Sequence, residues 1–173
     1  MASKTQLAFA RQVYAAAVEA KTEIDPAFVT AQAMLETGWG SRVIGKANLF
    51  GITKGSQWDG DIVMVKTHEY FKTPNQKFKE PDRIVSVCKV AGKNLWYYTV
   101  MRAFKDFDSV GDCLKEHERL FQKPGYKDAW PCRKDPFKFA QKICDGVGCK
   151  YATDPTYLTT ITSIIKTIRR KCV

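Results

Sequence analysis

The sequence predicts an α+β protein in which a small antiparallel sheet is inserted between helical segments. Three Asp-Pro pairs, at 25–26, 135–136 and 154–155, each stand directly before residues with helical periodicity. Asp is a good N-cap because its side chain accepts hydrogen bonds from free backbone N–H groups, and Pro at the first helical position has no N–H to lose. Runs of β-branched and aromatic residues lie in the middle of the chain, which favours strands there.

Helical segments are predicted towards both ends. The first lies within residues 1–21, and Asp25 marks the N-cap of the second. A further helix is predicted to begin at Ser109, where acidic Asp112 follows three residues later. After Asp154, apolar side chains recur at the three- and four-residue spacing of one helix face. We therefore expect the helices to surround one core.

Strands are predicted near 61–71, 83–90 and 94–104, with a Gly-Lys-Asn turn between the last two. Their β-branched and aromatic side chains suit a pleated, half-buried surface. A chain of 173 residues is long enough for one domain with a sizeable core. The prediction is a single domain over 1–173, with a β-lobe at roughly 57–104 inserted into the helical core.

The composition is that of a globular, strongly basic protein. Lys and Arg number 28 against 18 Asp and Glu, which gives a net charge of +10. Such a surface attracts polyanions, including nucleic acid, acidic lipid headgroups and the anionic bacterial wall. The basic residues are spread out without a compact nucleic-acid-binding motif. No apolar run approaches the ~20 residues of a membrane-spanning helix. We therefore predict no nucleic-acid partner and no membrane embedding.

Six cysteines are many for a reduced cytosolic protein of this length. None forms a C-x-x-C pair, so we expect no zinc cage or other metal site, and no motif indicates a cofactor. Four of the six lie in the last third of the chain, which favours disulfides in an oxidising compartment; free core thiols are the alternative. The cysteines are Cys88, Cys113, Cys132, Cys144, Cys149 and Cys172.

The stretch "MLETGWG" at 34–40 places an ionisable residue, Glu36, at the end of an apolar helical pattern. The negative end of the helix dipole disfavours an ionised carboxyl there, and burial against Trp39 and Phe50 would add desolvation. Both effects favour the protonated form, which suits a general acid at neutral pH. The alternative is a helix-end residue that faces water.

A second carboxylate, Glu69, closes one face of the predicted strand 61–71, which it shares with Val63, Val65 and Thr67. The alternative is an ordinary solvated strand residue. Two carboxyl groups in unlike environments are the equipment of glycoside hydrolysis, where one protonates the leaving oxygen and the other handles water or the cation. The aromatic residues exceed the needs of the core, and several could stack on sugar rings.

Five motifs occur in an order that resembles the flagellar-type endo-β-N-acetylglucosaminidases of glycoside hydrolase family 73, which cut bacterial peptidoglycan. They span nearly the whole chain, which makes a chance match improbable. The stretch between 72 and 103 is longer than is typical of that family, and the cysteines are not a family trait. The motifs are "AQAMLETGWG" at 31–40, "NLFGI" at 48–52, "W-x-G" at 58–60, "KTHEY" at 66–70 and "YATDPTY" at 151–157.

The resemblance implies a lysozyme-like fold, mainly helical, with a small β-lobe flanking an active-site cleft. It also implies that Glu36 is the catalytic acid and that Glu69 occupies the place of the family's second carboxylate. The predicted substrate-binding residues are Trp39, Asn48, Phe50, Trp58, Tyr70 and Tyr151.

The implied reaction is cleavage of the bond between N-acetylglucosamine and N-acetylmuramic acid. Glu36 would protonate the linking oxygen. Glu69 would activate water with inversion if the carboxyls lie roughly 6.5–9.5 Å apart, or would position a substrate acetamido group that attacks instead. The rival hypotheses are a lytic transglycosylase or muramidase, and a carbohydrate-binding or inhibitor module on an inactive hydrolase scaffold.

A wall hydrolase with oxidisable cysteines and no visible signal peptide must reach the wall by another route. Injection into a rival's periplasm by a contractile (type VI) secretion system is favoured, with phage lysis, an autolysin role or a removed signal peptide as alternatives. The expected partners are peptidoglycan glycan strands and a periplasmic immunity protein. The chain itself is predicted to be a monomer.

Overall fold

The computed structural model describes residues 2–145, 151 and 154–173, and it confirms the α+β class. Chain contacts divide the molecule into a helical unit, 1–50 with 107–173, and a sheet unit, 51–106. The described elements are α1 (Lys4–Glu19), α2 (Pro26–Thr37), β1 (Ile62–Phe71), β2 (Arg83–Lys89), β3 (Trp96–Lys105), α3 (Val110–Phe121), α4 (Pro136–Asp145) and α5 (Tyr157–Lys171), with short 3-10 turns at Pro124–Tyr126 and Trp130–Cys132.

Helix α2 is the centre of the helical unit. Nine of its 12 residues are buried, and it packs against both α1 and α5. The predicted cap is confirmed, because Asp25 Oδ1 accepts a hydrogen bond from the Ala27 N–H at 2.8 Å and Pro26 is the first helical residue. Phe28 of α2 meets the rings of Phe121 and Phe139 edge-to-face at 6.1 and 4.8 Å. Edge-to-face rings add to the free energy of burial.

The other predicted helix starts are right in two cases and wrong in one. Ser109 caps α3, and α4 begins at Pro136, directly after Asp135. Helix α5, however, begins at Tyr157, two residues later than the Asp-Pro pattern predicts. The reason is that Asp154 Oδ1 accepts hydrogen bonds from both the N–H and the hydroxyl of Thr156 at 2.8 Å, which forms a turn ahead of the helix.

The sheet is antiparallel with the strand order β1-β3-β2. In β1 all odd-numbered residues from Val63 to Phe71 are half-buried, and the predicted alternation is confirmed from Val65 onward; Met64, on the other face, is half-buried as well. The same face carries Tyr98 and Val100 of β3, which are fully buried. The loop between β1 and β2 is pinned to this face: the Gln76 N–H donates to the Tyr98 hydroxyl at 3.2 Å, and the Phe78 ring lies 6.4 Å from the Tyr98 ring.

Strand β2 has a different character, because all seven of its residues are exposed. It pairs with β3 along one side, with a register shift between Ile84 and Ser86. The side chains of Ile84, Val85 and Val87 are 41%, 53% and 41% exposed. Lys89 ends the strand with a positive charge. Strand β2 is therefore a solvent-exposed edge strand with apolar side chains and a lysine at its end.

The cysteines bear on the expected disulfides, and the helices bear on the expected lack of membrane spans. In the described residues Cys88, Cys113, Cys132 and Cys172 are free thiols, so the structure shows none of them in the disulfides that their number suggested. Cys149 lies outside the described residues. Across the described ranges, no helix has both the length and the apolar character to cross a bilayer.

Candidate active site

The turn after α2 sets the direction of the first candidate residues. The Trp39 N–H donates to the Met34 carbonyl at 2.7 Å, and Gly38 takes the left-handed conformation with φ +57°. Gly is suited to this conformation because it has no Cβ. Trp39 follows with φ +60°, a strained value for a bulky residue. Strain of this kind concentrates at functional sites, where the surroundings hold the residue in place.

Gly40 shows what those surroundings are. Its φ is +87°, and a Cβ added there would lie 2.6 Å from the Phe9 ring of α1. The Gly40 N–H donates to the Thr37 hydroxyl at 2.9 Å, and that hydroxyl donates to the Ala33 carbonyl at 2.6 Å. The turn is thus fixed to both α1 and α2, which holds Trp39 at the helix end beside Glu36.

Glu36 lies in the last turn of α2, and its side chain is exposed rather than buried against Trp39 and Phe50 as predicted. Its polar contact is Tyr151, whose hydroxyl donates to Glu36 Oε1 at 3.3 Å. Desolvation by nearby protein atoms raises the pKa of the Glu36 carboxyl, and the Tyr151 hydrogen bond opposes that rise. The carboxyl is therefore reachable from water and still biased toward the protonated form.

Three aromatic and amide groups support this pair. The Tyr151 ring lies 5.5 Å from the rings of Phe121 and Tyr157. Gln32, one helical turn before Glu36, donates from Nε2 to the Tyr157 hydroxyl at 3.1 Å. Burial raises the pKa of both Tyr151 and Tyr157, so both phenols remain protonated and act as hydrogen-bond donors.

The "NLFG" loop is held by α3. Asn48 is 1% exposed, and its backbone exchanges hydrogen bonds with Ile44 at 3.0 and 3.2 Å. The Leu49 N–H donates to the Cys113 sulfur at 3.4 Å, and burial raises the pKa of that thiol to about 12. Phe50 stacks on His117 with ring centroids 3.7 Å apart. The two predicted binding residues of this loop thus differ in exposure: Asn48 is buried, whereas Phe50 is half-buried.

His117 is the unusual residue of this group. It is 2% exposed, and neither ring nitrogen has a hydrogen-bond partner in the described part of the chain. Desolvation lowers its pKa to about 3. His117 is therefore neutral at physiological pH and serves as a flat packing surface for Phe50.

The second predicted carboxylate, Glu69, belongs to the sheet unit. Its Oε1 accepts a hydrogen bond from Arg102 Nη1 at 2.6 Å, and Arg102 Nε lies 2.8 Å from Asp82 Oδ2. Glu69 is 29% exposed, so it is reachable from solvent while its direction is set by an ion pair.

The remaining predicted binding residues lie on the sheet unit as well. Trp58 is half-buried, donates from Nε1 to the Asp61 carbonyl at 2.9 Å and carries the Lys105 ammonium 4.6 Å from its ring. Tyr70 is 61% exposed and lies 5.1 Å from the Tyr97 ring. Because neighbouring strand residues alternate in direction, Tyr70 lies on the face opposite Glu69. The structure therefore does not bring these two together.

Four residues of these clusters were not predicted from the sequence: Gln32, Arg102, His117 and Tyr157. Gln32 carried a signal, since it is an amide four residues before Glu36 on an otherwise apolar helix. No local pattern singles out Tyr157 or His117 as part of a site, and none pairs Arg102 with Glu69, 33 residues earlier. In the described chain, no three His, Cys, Asp or Glu side chains are grouped closely enough to hold a metal ion.

Comparison with known proteins identifies the family of the chain. The Glucosaminidase family model, described as mannosyl-glycoprotein endo-beta-N-acetylglucosaminidase, matches residues 12–170. The chain belongs to this family. The match covers most of the sequence, so the membership inferred from the five motifs is confirmed and the chain is a glycoside hydrolase domain.

Two relatives and one solved structure illustrate the likeness. A peptidoglycan hydrolase FlgJ of Vibrio parahaemolyticus is 31% identical over 140 residues, which is 78% of this chain and 37% of that protein. A probable N-acetylmuramidase of Lactococcus lactis is 32% identical over 143 residues, or 81% of this chain and 28% of that protein. The chain thus spans less than two fifths of the length of either relative.

The solved structure is the catalytic domain of the autolysin Auto from Listeria monocytogenes. It superposes with a TM-score of 0.70 at 24% identity, over 98% of this chain and 87% of that one. At this identity the likeness concerns the fold, and it confirms the lysozyme-like expectation.

The hydrogen bond from Tyr151 to Glu36 predicts a pH effect for the general-acid role expected of Glu36. In Tyr151→Phe the hydrogen bond that lowers the pKa of Glu36 is lost, so that pKa rises further. A general acid is active while protonated, so the alkaline limb of the pH–kcat profile should move to higher pH. The profile of Tyr14→Phe, altered on α1, should match that of the wild type. An unmoved limb in Tyr151→Phe would contradict this role.

The buried His117 predicts acid sensitivity. Its pKa of about 3 in the folded protein lies below the ordinary value of 6.5, so the unfolded chain binds an extra proton between these pH values. The free energy of unfolding should therefore fall by up to about 1.4 kcal/mol for each pH unit below 6.5. In His117→Phe this contribution disappears. Urea titrations at pH 7 and 5 measure it, with Ile161→Val, a core change without a titrating group, as the control. Parallel losses in wild type and His117→Phe would exclude the effect.

Proposed function

We propose that this chain hydrolyses peptidoglycan glycan strands at the bond between N-acetylglucosamine and N-acetylmuramic acid, with Glu36 as the general acid. The observation that carries the proposal is the solvent-reachable Glu36 carboxyl with a raised pKa, hydrogen-bonded to Tyr151, in a chain of the Glucosaminidase family. The net charge of +10 also suits an anionic wall polymer.

In the proposed reaction, Glu36 donates its proton to the glycosidic oxygen as the C–O bond breaks. The anomeric carbon develops positive charge, and a nucleophile attacks from the other side. Glu69, as the second carboxylate, either takes a proton from the attacking water or orients the substrate's 2-acetamido group for attack. The anomeric configuration of the first product distinguishes the two, because direct attack by water inverts it and acetamido participation retains it.

The rival reactions differ in the product ends. The likeness to a probable N-acetylmuramidase favours cleavage on the other side of the muramic acid as the second candidate. A glucosaminidase leaves a reducing N-acetylglucosamine end, a muramidase leaves a reducing N-acetylmuramic acid end, and a lytic transglycosylase leaves a 1,6-anhydro-muramyl end.

The substitution Glu36→Gln tests the assignment. It keeps the side-chain shape and removes the proton, so release of muropeptides from purified wall should fall by at least about 100-fold. The fold should be retained, and because the variant has no desolvated carboxylate to ionise, its melting temperature at pH 7 should not fall. The matched control is Glu19→Gln, an exposed glutamate at the end of α1. Mass spectrometry of the released muropeptides identifies the bond, and wild-type activity in Glu36→Gln would remove it from the role of acid.

We further propose that the protein acts, as a monomer, as an antibacterial toxin in the periplasm of a rival cell, delivered by a contractile secretion system. A cell that makes such an enzyme needs a periplasmic immunity protein that blocks it. The proposal is supported by the wall-directed chemistry, since peptidoglycan is reached from the periplasmic side. A phage endolysin or an autolysin is the alternative setting for the same activity.

Expression in a Gram-negative host tests the site of action. The chain fused to an export signal should lyse the cells, whereas the chain retained in the cytoplasm should not. The exported Glu36→Gln variant is the control for catalysis. Normal growth with the exported wild type, at matched protein levels, would contradict action in the periplasm.

A further inference from the structure

We propose that Arg102 is a positioning residue, which fixes the direction of the Glu69 carboxylate and ties it to the loop between β1 and β2 through Asp82. This inference rests on the proposed function, because it assumes that Glu69 is the second carboxylate of the reaction. It adds to that function a residue that neither the sequence motifs nor the family match assigns.

The geometry of the three side chains is the first support. Arg102 Nη1 donates to Glu69 Oε1 at 2.6 Å, while Arg102 Nε lies 2.8 Å from Asp82 Oδ2. The side chains are 26%, 29% and 17% exposed for Arg102, Glu69 and Asp82. The guanidinium thus sits between two carboxylates, partly shielded from water, where ion pairs are weakened less by solvent than on an open surface.

The two contacts differ in kind. The bond to Glu69 has hydrogen-bond geometry, whereas the buried Nε has none toward Asp82 despite the short distance. The Asp82 contact is therefore an ion pair without a directed N–H. Since hydrogen bonds are directional and ion pairs are much less so, the contact of Arg102 that constrains direction is the one to Glu69.

The register of the sheet shows that Arg102 and Glu69 are not directly opposite each other on β3 and β1. Arg102 is paired across the sheet with Val65, and Glu69 with Tyr98. All four therefore share one sheet face, with the Thr67–Val100 pair between. The Arg102 side chain must run along this face to meet Glu69, and an Arg is long enough to do so with a planar group at its end.

The other end of the bridge is fixed independently. Asp82 Oδ1 accepts the Ala103 backbone N–H at 2.7 Å, so this aspartate is tied to β3 regardless of Arg102. The Arg102 guanidinium also lies 5.6 Å from the centroid of the Phe78 ring. Arg102 therefore contacts a part of the loop that is itself bound to β3, and through Arg102 the position of the Glu69 carboxylate is restrained.

This placement matters for catalysis because the second carboxylate has to be aimed at water or at an acetamido group. Misplacement of a reacting group by about 1 Å can lower a rate by about 100-fold. Lys keeps the charge of Arg but has a single ammonium on a flexible stem, so it cannot contact both carboxylates with a rigid planar group. Arg102→Lys therefore separates charge from geometry.

The test is a double-substitution cycle with kinetics on purified wall. Arg102→Lys should lower kcat by roughly 10- to 100-fold with KM changed by less than about threefold, because substrate contacts are kept. In a Glu69→Gln background the same change should have almost no further effect, since there is no carboxylate left to aim. The matched control is Arg119→Lys on α3, because Arg119 also pairs with a carboxylate, Glu116, at 2.8 Å but is itself 73% exposed. It should retain wild-type kinetics.

An equal fall in kcat with and without Glu69, or an effect on KM alone, would overturn the inference. Wild-type kcat in Glu69→Gln would also overturn it. Asp82→Asn is the second variant in case Arg102→Lys does not fold. It keeps an acceptor for Ala103 and removes only the charge, so a smaller fall in kcat is expected.

A readout without substrate separates this inference from the proposed function. In the 15N-labelled protein, the guanidinium signals of Arg102 should show restricted rotation about the Nε–Cζ bond, and Glu69→Gln should free it. Free rotation in the wild type overturns the positioning role even if the enzyme cleaves glycan. Restricted rotation in a protein that cleaves no glycan instead places the failure with the proposed function.

Discussion

The helical part of the site depends on the burial of α2. A helix that is enclosed on most sides has few places for a polar group, and α2 carries its one carboxyl in the last turn, where the chain leaves the core. Burial of the preceding turns fixes the direction of that carboxyl, while the helix end leaves it open to solvent. The same packing brings Tyr157 of α5 to Gln32 and so prepares the surroundings of Tyr151. The packing that forms the core therefore also positions the proposed acid.

The two candidate carboxyl groups have unlike surroundings, and this is the property that acid–base chemistry requires. Glu36 has partial desolvation, which raises its pKa, and a neutral hydroxyl as its partner. Glu69 has a cation as its partner. The Tyr151 hydroxyl can stay hydrogen-bonded to Glu36 while that carboxyl keeps its proton, whereas Arg102 holds Glu69 by an ion pair. The roles proposed for the two carboxyls rest on this difference between their partners.

Much of this could be predicted from local patterns. Asp25, Asp135 and Ser109 mark helix starts because a cap is made by residues adjacent in sequence, and strand alternation located Glu69 on its face. The start of α5 was missed because Asp154 has two possible uses, a cap or a turn, and Thr156 decides between them. Arg102, His117 and Tyr157 were missed because their roles are set by partners 33 to 125 residues away or by burial alone. Pairings at that distance are made by the fold, and a single sequence does not display them.

The open edge of β2 has a consequence for handling the protein. Within the described chain β2 pairs with β3 on one side only, so its other edge, with exposed Ile84, Val85 and Val87, can add a strand from a neighbouring molecule. Mutual repulsion between molecules that each carry a charge of +10 opposes such stacking in dilute buffer. Concentrated electrolyte shortens the range of that repulsion to a few ångströms. Solubility is therefore an electrostatic property of this chain, and the stock solution is best kept at low ionic strength.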